Sequence, residues 1–416
     1  MATGGAFEDP RMRGFRARSS VEDVLALIAA RVGPLGPCEV PLGEAAGRVL
    51  AGPVVAGISV PGFDRAAMDG YAVRGEETFG ADPYSPIPFA LIGRARPGAA
   101  SGLVVGPGQA VEIATGAALP DGADTVVKVE STERDDAPVV RVFEATAPGR
   151  HVGRMGEDVV AGQTILLQHR TLRPQDLGVL SAVGVARVRV VQKPEVVLLI
   201  TGDELVEAGQ MPTGLRIADA NSPMLEALVR RDGGRPRTVG PLADDRGTIR
   251  SALLEASAHA DLVLISGGSS TGPEDHAPGL LAELGELSIH GVAIRPASPS
   301  GLGFLGPVPV ALLPGNPVSC LCAYDFFAGP IVRRLGGRAL NWPYRPERLK
   351  LAQKLASVVG RVDYARVAIR GGQVEPLATS GASILSSTTR ADGFVVVPAD
   401  LEGYAVGSEV EVWHYD

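Results

Sequence analysis

The chain has 416 residues, 45% of them hydrophobic and only 5% aromatic, with a net charge of −8. That length suits about three domains, and 53 glycines with 33 prolines in no period mark a turn-rich globular protein with enough apolar residues for buried cores. The acid excess excludes a nucleic-acid surface, three cysteines exclude a disulfide framework, and six prolines between Pro296 and Tyr324 exclude a membrane helix from the longest uncharged run.

The amino-terminal segment "MATGGAFEDPRMRGFRARSS" has charges and no apolar core, so no secretory signal is expected and a cytoplasmic location is. "SSVEDVLALIAARVG" then reads as an amphipathic helix, capped by Ser20 with Asp23 three residues later and showing Val21, Val24, Leu25, Ile28 and Val32 on one face. From Val54 to Ala147 short strands alternate with Gly/Pro turns, which predicts a β-rich module. A second helix, in "RPQDLGVLSAVG", follows, so the module is expected to be inserted into a domain built from residues 1–53 and 148–193. Residues 194–340 alternate apolar runs ("EVVLLI", "PRTVG", "DLVLI", "PVALL") with helical stretches, one of them opened by Ser222 as cap and Pro223. This predicts an α/β domain with a mainly parallel sheet. Residues 341–416 return to short strands and read as a small β-barrel. The expected fold class is therefore multidomain α/β plus β.

Three polar loops leave the α/β strands at their carboxyl ends: Thr201-Gly202-Asp203-Glu204, Ser266 to Asp275, and Pro314-Gly315-Asn316-Pro317. Ligands of open α/β sheets bind outside those ends, so the loops should line one pocket, with "IADANSP" (Asp219, Asn221) at its rim. "GGSSTGPED" lacks both the Walker A ending and the dinucleotide spacing. What it offers is the N–H groups of Gly267, Gly268 and Gly272 and the hydroxyls of Ser266, Ser269, Ser270 and Thr271, able to hold a phosphate without lysine. Glu274 and Asp275 fit that site if a divalent cation stands between them and the phosphate; the alternative is a surface turn with Asp275 capping the next helix. In the β module, Asp64 and Asp69 bracket a turn, and Glu157 and Asp158 precede a strand; such acid pairs are also common on solvated surfaces. The Cys320-x-Cys322 pair reads as buried free thiols, and His276 as a surface residue at a helix start.

"PGFDRAAMDGYAV", "TGAALPDGADTVV", "GEDV", "TGDEL", "SGGSSTG" and "LPGNPVS", in that order, resemble the molybdopterin molybdotransferases, the MoeA and gephyrin E-domain family. The resemblance covers roughly residues 20–412. It implies an elongated homodimer of four-domain subunits that takes adenylylated molybdopterin and molybdate, cleaves the adenylate with Mg²⁺, releases AMP, and leaves molybdenum on the dithiolene. It also implies a cleft shared between the α/β domain of one subunit and the β module of the other. The molybdopterin adenylyltransferase and molybdoenzyme acceptors are the further partners it implies, with no nucleic acid and no membrane. Residue by residue, Asp69, Thr115, Asp158, Glu204, Asp275, Pro314 and Pro317 match functional positions, Arg366 matches an arginine near the molybdate site, and Ser387 a serine nearby.

The departures from the family pattern concern the oxyanion. Lys-Pro-Gly-Lys-Pro is here "RPASP": Arg295 keeps one cation and Ser298 replaces the other. Asp-Ser-Asn is "DAN" with Ala220, the usual Val after Ser-Gly-Gly is Ser269, and a tail Asn is Asp392. Two other readings share these residues: a paralogue that carries molybdopterin or inserts another oxyanion such as tungstate, and a scaffold.

Overall fold

A computed structural model describes residues 15, 18–134, 138–270, 272, 274–378 and 381–415. Thr271 and most of the first 17 residues, for which sequence expectations were stated, lie outside these. The chain forms two compact units, one of Glu39–Ala46 with Leu50–Arg189, the other of the chain through Cys38, Gly47–Val49 and Val190 onward.

Helix α1 (Val21–Arg31) belongs to the larger unit and starts as its sequence predicts. Ser20 Oγ accepts from the Asp23 amide at 3.0 Å and the Asp23 carboxylate accepts from the Ser20 amide at 3.1 Å, so two otherwise unpaired donors are satisfied. Val21, Val24 and Ile28 turn inward.

In the smaller unit, β1 (Gly70–Val73), β2 (Ile87–Ala95), β3 (Gln109–Ile113), β4 (Thr125–Lys128), β5 (Thr132–Arg134) and β6 (Val139–Val142) form one sheet in the order β4-β1-β3-β2-β6-β5. Gly70 opens β1, where a Cβ would meet the Val127 carbonyl oxygen at 1.9 Å, so the strand requires a residue with no side chain. Helix α2 (Pro174–Ala182) is held at its start by buried Asp176, which accepts from Arg170 at 2.8 and 3.0 Å and from the Arg173 amide at 2.9 Å.

The larger unit continues with β7 (Glu195–Thr201), α3 (Asn221–Arg231), β8 (Arg235–Leu242), α4 (Arg246–Ser257), β9 (Leu262–Ser266), α5 (Ala277–Leu284), β10 (Glu286–His290), β11 (Gly301–Leu305) and β12 (Val308–Leu313). The sheet order is β8-β7-β9-β12-β11-β10, parallel across the first four strands and antiparallel across the last two. The unbroken apolar runs of β7 and β9 are explained by burial on both faces. Val196, Leu198, Ile200, Leu262 and Leu264 pack with residues of α1, α3 and the helix after β12; Val197, Leu199, Val263 and Ile265 pack with α4 and α5.

That last helix is not uniform. It runs as α6 (Pro317–Ala323), a π-helical turn (Tyr324–Ala328) and α7 (Gly329–Leu335). Pro330 has no N–H for the α ladder, and the wider turn before it absorbs the misfit.

The tail strands are β13 (Arg345–Leu351), β14 (Val362–Arg370), β15 (Gln373–Ala378), β16 (Gly393–Val397) and β17 (Glu409–His414). Their pairings run β14-β15-β13-β17-β16 and return from β16 to β14, closing a ring. Ile294–Arg295 pairs in parallel with Val362 and Asp363 of β14. No described helix is long and apolar enough to cross a membrane.

Candidate functional site

The loops after β7, β9 and β12 converge, as the carboxyl-end rule predicts, on a pocket of about 560 Å³. Glu204, Asp219, Asn221, Ser266 to Ser270, Gly272, Glu274, Asp275, Pro314 and Pro317 all line it, with Asp244 and Ser383 besides. Gly267 makes the convergence possible: its φ is +101°, and a Cβ there would meet the Thr201 carbonyl oxygen at 2.4 Å. Pro317 occupies the first turn of α6, where a missing N–H costs nothing.

Many of the donors expected to hold a phosphate are already committed within the fold. Ser266 Oγ accepts from Asn221 Nδ2 at 2.9 Å and lies 3.7 Å from Cys320 Sγ, and Ser269 Oγ donates to the Leu313 carbonyl at 3.1 Å. The Gly267 amide donates to Leu313 and the Gly272 amide to Asp275 Oδ2. These groups bind the loop to its neighbours, and the Gly268 amide keeps no partner among the described residues. Asn221 Nδ2 also donates to the Gly315 carbonyl at 2.8 Å, so one side chain ties two loops together while its buried Oδ1 stays unpaired. Asp219 Oδ1 accepts from the amides of Asn221 and Ser222, and its other oxygen from the Ser222 hydroxyl. The cap of α3 is therefore Asp219 and not Ser222, because a carboxylate can satisfy two orphan amides at once. Asp275 braces its own turn through Gly272 and does not cap α5; Glu274 is exposed on the rim, as is Glu204.

Five carboxylates line this pocket (Glu204, Asp219, Asp244, Glu274, Asp275), with no Lys, Arg or His among the described lining residues. An anionic ligand enters such a site only with a cation. Among the described residues no three His, Cys, Asp or Glu side chains form a ready cage. Magnesium does not need one: it binds through one or two carboxylates plus substrate phosphates and water, so the donor set fits.

A second pocket, of about 360 Å³, shares Pro299, Pro314 and Asn316 with the first. It contains Arg295 and Ser298, and it adds Arg18 and Arg361, which sequence reasoning missed. No acid lines it among the described residues. Behind it the fully buried Asp363 pairs with an Arg295 Nη atom, with Arg361 Nε at 3.2 Å, and accepts from Ser357 Oγ at 2.8 Å. Arg366 is not in this pocket. It is fully buried beside Cys322, Tyr364 and Tyr415, and burial lowers its pKa. Ser387 is buried and donates to the Ile384 carbonyl at 2.6 Å. The alternation of β14 separates these two arginines: Arg361 and Asp363 fall on one side, Arg366 on the other. That period-two pattern was the available signal for Arg361.

The remaining candidates lie in the smaller unit, at exposed positions. Asp69 accepts from the Thr115 amide at 2.6 Å and its hydroxyl at 2.8 Å, which holds the carboxyl below the usual carboxylate range and keeps it ionised. Asp158 has no side-chain partner among the described residues, whereas Asp64 is spent on the Met155 amide and Arg154, and Glu157 on Arg65 and the Arg154 amide. Cys320 and Cys322 are unreactive as nucleophiles: burial pushes Cys320 up to about 12 and Cys322 well above its ordinary value.

Fold and loops together define an α/β protein with a pocket at the carboxyl ends of parallel strands, where ligands of open α/β sheets bind. The comparisons with known proteins narrow this. Residues 19–184 match the model of the MoeA N-terminal region (domain I and II), 197–334 that of a probable molybdopterin binding domain, and 348–415 that of the MoeA C-terminal region (domain IV). A putative molybdopterin biosynthesis protein of Methanocaldococcus jannaschii is 34% identical over 315 residues, 74% of this chain and 76% of that protein. Molybdopterin molybdenumtransferase 2 of Mycobacterium tuberculosis is 34% identical over 325 residues, 76% of this chain and 80% of that one. The crystal structure of the molybdopterin biosynthesis MoeA protein from Pyrococcus horikosii superposes with a TM-score of 0.83 at 33% identity, covering 96% of this chain and 100% of that one. The chain belongs to the MoeA family.

Proposed function

We propose that the protein is a molybdopterin molybdenumtransferase, which inserts molybdenum from molybdate into adenylylated molybdopterin during molybdenum cofactor biosynthesis. The observation that carries this reading is the adjoining pair of pockets with opposite charge: one fits a phosphate that arrives with a cation, the other a free oxyanion. Asp275 and Glu274 would hold Mg²⁺, which when bound neutralises phosphate charge and polarises the bond to AMP. Asn221 and the Pro314–Pro317 loop shape the acidic pocket around the ligand. Arg295 faces the oxyanion, and Ser298 offers a buried hydroxyl that has no hydrogen-bond partner among the described residues. Asp69 and Asp158 are assigned to the same reaction as ionised carboxylates, acting in a homodimer on the partner subunit's substrate. The strand ring of the tail is taken as the family's small β-barrel, and the four-part domain division and a cytoplasmic location belong to the same reading.

The test is to purify the protein from a molybdopterin-making host, identify bound pterin by mass spectrometry, and follow AMP release with and without Mg²⁺. Absence of bound pterin together with absence of AMP release would sink the assignment. Mixing Asp69→Ala with Asp275→Ala subunits tests the shared site: exchanged dimers should regain partial activity because one cleft is intact.

A further inference from the structure

The loop after β9 carries three successive amides, those of Gly268, Ser269 and Ser270, that meet no acceptor among the described residues. Which way they point is set by the carbonyls before them. In a trans peptide the C=O and the following N–H share a plane and point in opposite directions, and none of these bonds is cis. The Gly268 carbonyl accepts from the Ala277 amide at 3.4 Å, and the Ser269 carbonyl accepts from His290 Nε2 at 2.9 Å. A carbonyl can only accept, so this contact puts the proton on Nε2. Ser269 and Ser270 line the acidic pocket, whereas His290, the last residue of β10, does not. The imidazole therefore holds the Ser269 carbonyl away from the pocket, which turns the Ser270 N–H toward it. The imidazole is itself fixed. Its backbone pairs with Gly301 of β11, and the Phe15 ring meets it edge-on with centroids 4.9 Å apart. Phe15 can sit there because residue 291 has no side chain: a Cβ on Gly291 would lie 2.5 Å from the Phe15 ring. Strand and ring together place the donor before any ligand arrives, so little side-chain entropy is lost on binding.

We infer that His290 is a positioning residue of the acidic pocket: by holding the Ser269 carbonyl it presents the Ser270 amide, beside those of Gly268 and Ser269, to a diphosphate group. Successive amides turned to one side make a concave anion site. No Lys, Arg or His lines this pocket among the described residues, so backbone N–H groups are the donors left to meet phosphate oxygens, and their direction matters accordingly. His290 touches no ligand and acts only through the loop. The inference rests on the reading of this pocket as the phosphate site.

The experiment is calorimetric titration of the full-length protein with inorganic pyrophosphate in the presence of Mg²⁺, for wild type, His290→Phe and His290→Gln, with melting temperatures taken on the same samples. Phenylalanine keeps the ring packing against Phe15 and has no donor; the glutamine amide restores an N–H near the place of Nε2. His290→Phe should weaken pyrophosphate binding about tenfold, and His290→Gln should recover most of that loss. In AMP release the same loss should appear in KM, with kcat little changed. Wild-type affinity in His290→Phe, or equal weakening in both variants, overturns the inference and leaves the phosphate reading intact. If His290→Phe does not fold, spectra of the ¹⁵N-serine-labelled wild type decide. The Ser270 amide signal, assigned by its loss in Ser270→Ala, should shift when Mg²⁺ and pyrophosphate are added, and an unmoved signal overturns the inference. Wild-type protein that binds no pyrophosphate overturns the phosphate reading, and the inference with it.

Discussion

The two pockets differ in one respect above all. Their walls meet at Pro299, Pro314 and Asn316, but one is lined by five carboxylates and no cation and the other by three arginines and no acid among the described residues. A site of the first kind rejects a bare phosphate and accepts one that brings its own divalent ion; a site of the second kind accepts a bare oxyanion and repels the same ion. On the proposed reading, placing them side by side would sort two reactants of like charge without a gate, since each is excluded from the other's place.

The largest expected effect comes from removing charge at the acidic side. Asp275→Ala should lower AMP release by about a hundredfold or more, because the cation it would hold is worth several kcal/mol in the transition state. Ligand affinity should fall far less. Release rate and affinity, measured across Mg²⁺ concentrations, check this; an unchanged rate would remove the distinction between the pockets. On the basic side, Arg295→Ala should raise the molybdate needed for half-maximal insertion roughly ten- to a hundredfold, from the loss of about 1.5–3 kcal/mol of charge-assisted hydrogen bonding, with pterin binding spared. A variant that titrates like wild type would mean that the oxyanion does not sit there. Ser298→Lys restores the family's second cation and should lower the molybdate requirement by a few fold at most. The arginines already present reduce the need for an extra charge, so its contribution stays at about 1 kcal/mol or less. A tenfold gain would show instead that they do not contribute.

The smallest effect concerns Asp69. Its depressed pKa comes first from the Thr115 amide and second from the Thr115 hydroxyl. Thr115→Val removes only the second, so the carboxylate protonates at somewhat higher pH and the acid limb of the activity profile moves upward. An unmoved limb would take Asp69 out of the reaction.

Much of the scaffold was legible in the sequence. The Ser20–Asp23 capping box and the apolar runs of β7 and β9 depend on residues a few places apart, and so does the carboxyl-end position of the polar loops. What was not legible is how the polar groups are spent. Ser266, Ser269, Asp219 and Ser387 have the right chemistry for a ligand, and their bonds go to Asn221, Leu313, Ser222 and Ile384 instead. No local pattern distinguishes a free hydroxyl from a committed one, because the partner is chosen by packing. Arg366 and Arg361 illustrate the same limit: one lies in β14 and the other just before it, and the alternation along that segment, not its composition, decides which reaches the pocket.

The arginine pocket also has a consequence for how the molecule comes into being. Its walls are spliced from Arg18, the 292–299 segment and Arg361, and Arg295 is hydrogen-bonded in register with Asp363 of β14. The acidic pocket draws almost wholly on residues 200–317. During synthesis the first centre can therefore take shape while the tail is still on the ribosome, and the second cannot, since a contact spanning most of the chain forms only after its far partner emerges. A nascent or proteolytically shortened chain ending before Arg361 would keep its carboxylates, Arg18 and Arg295 but lack Arg361 and the Asp363 that pairs with Arg295, so the arginine pocket is complete only in a finished molecule.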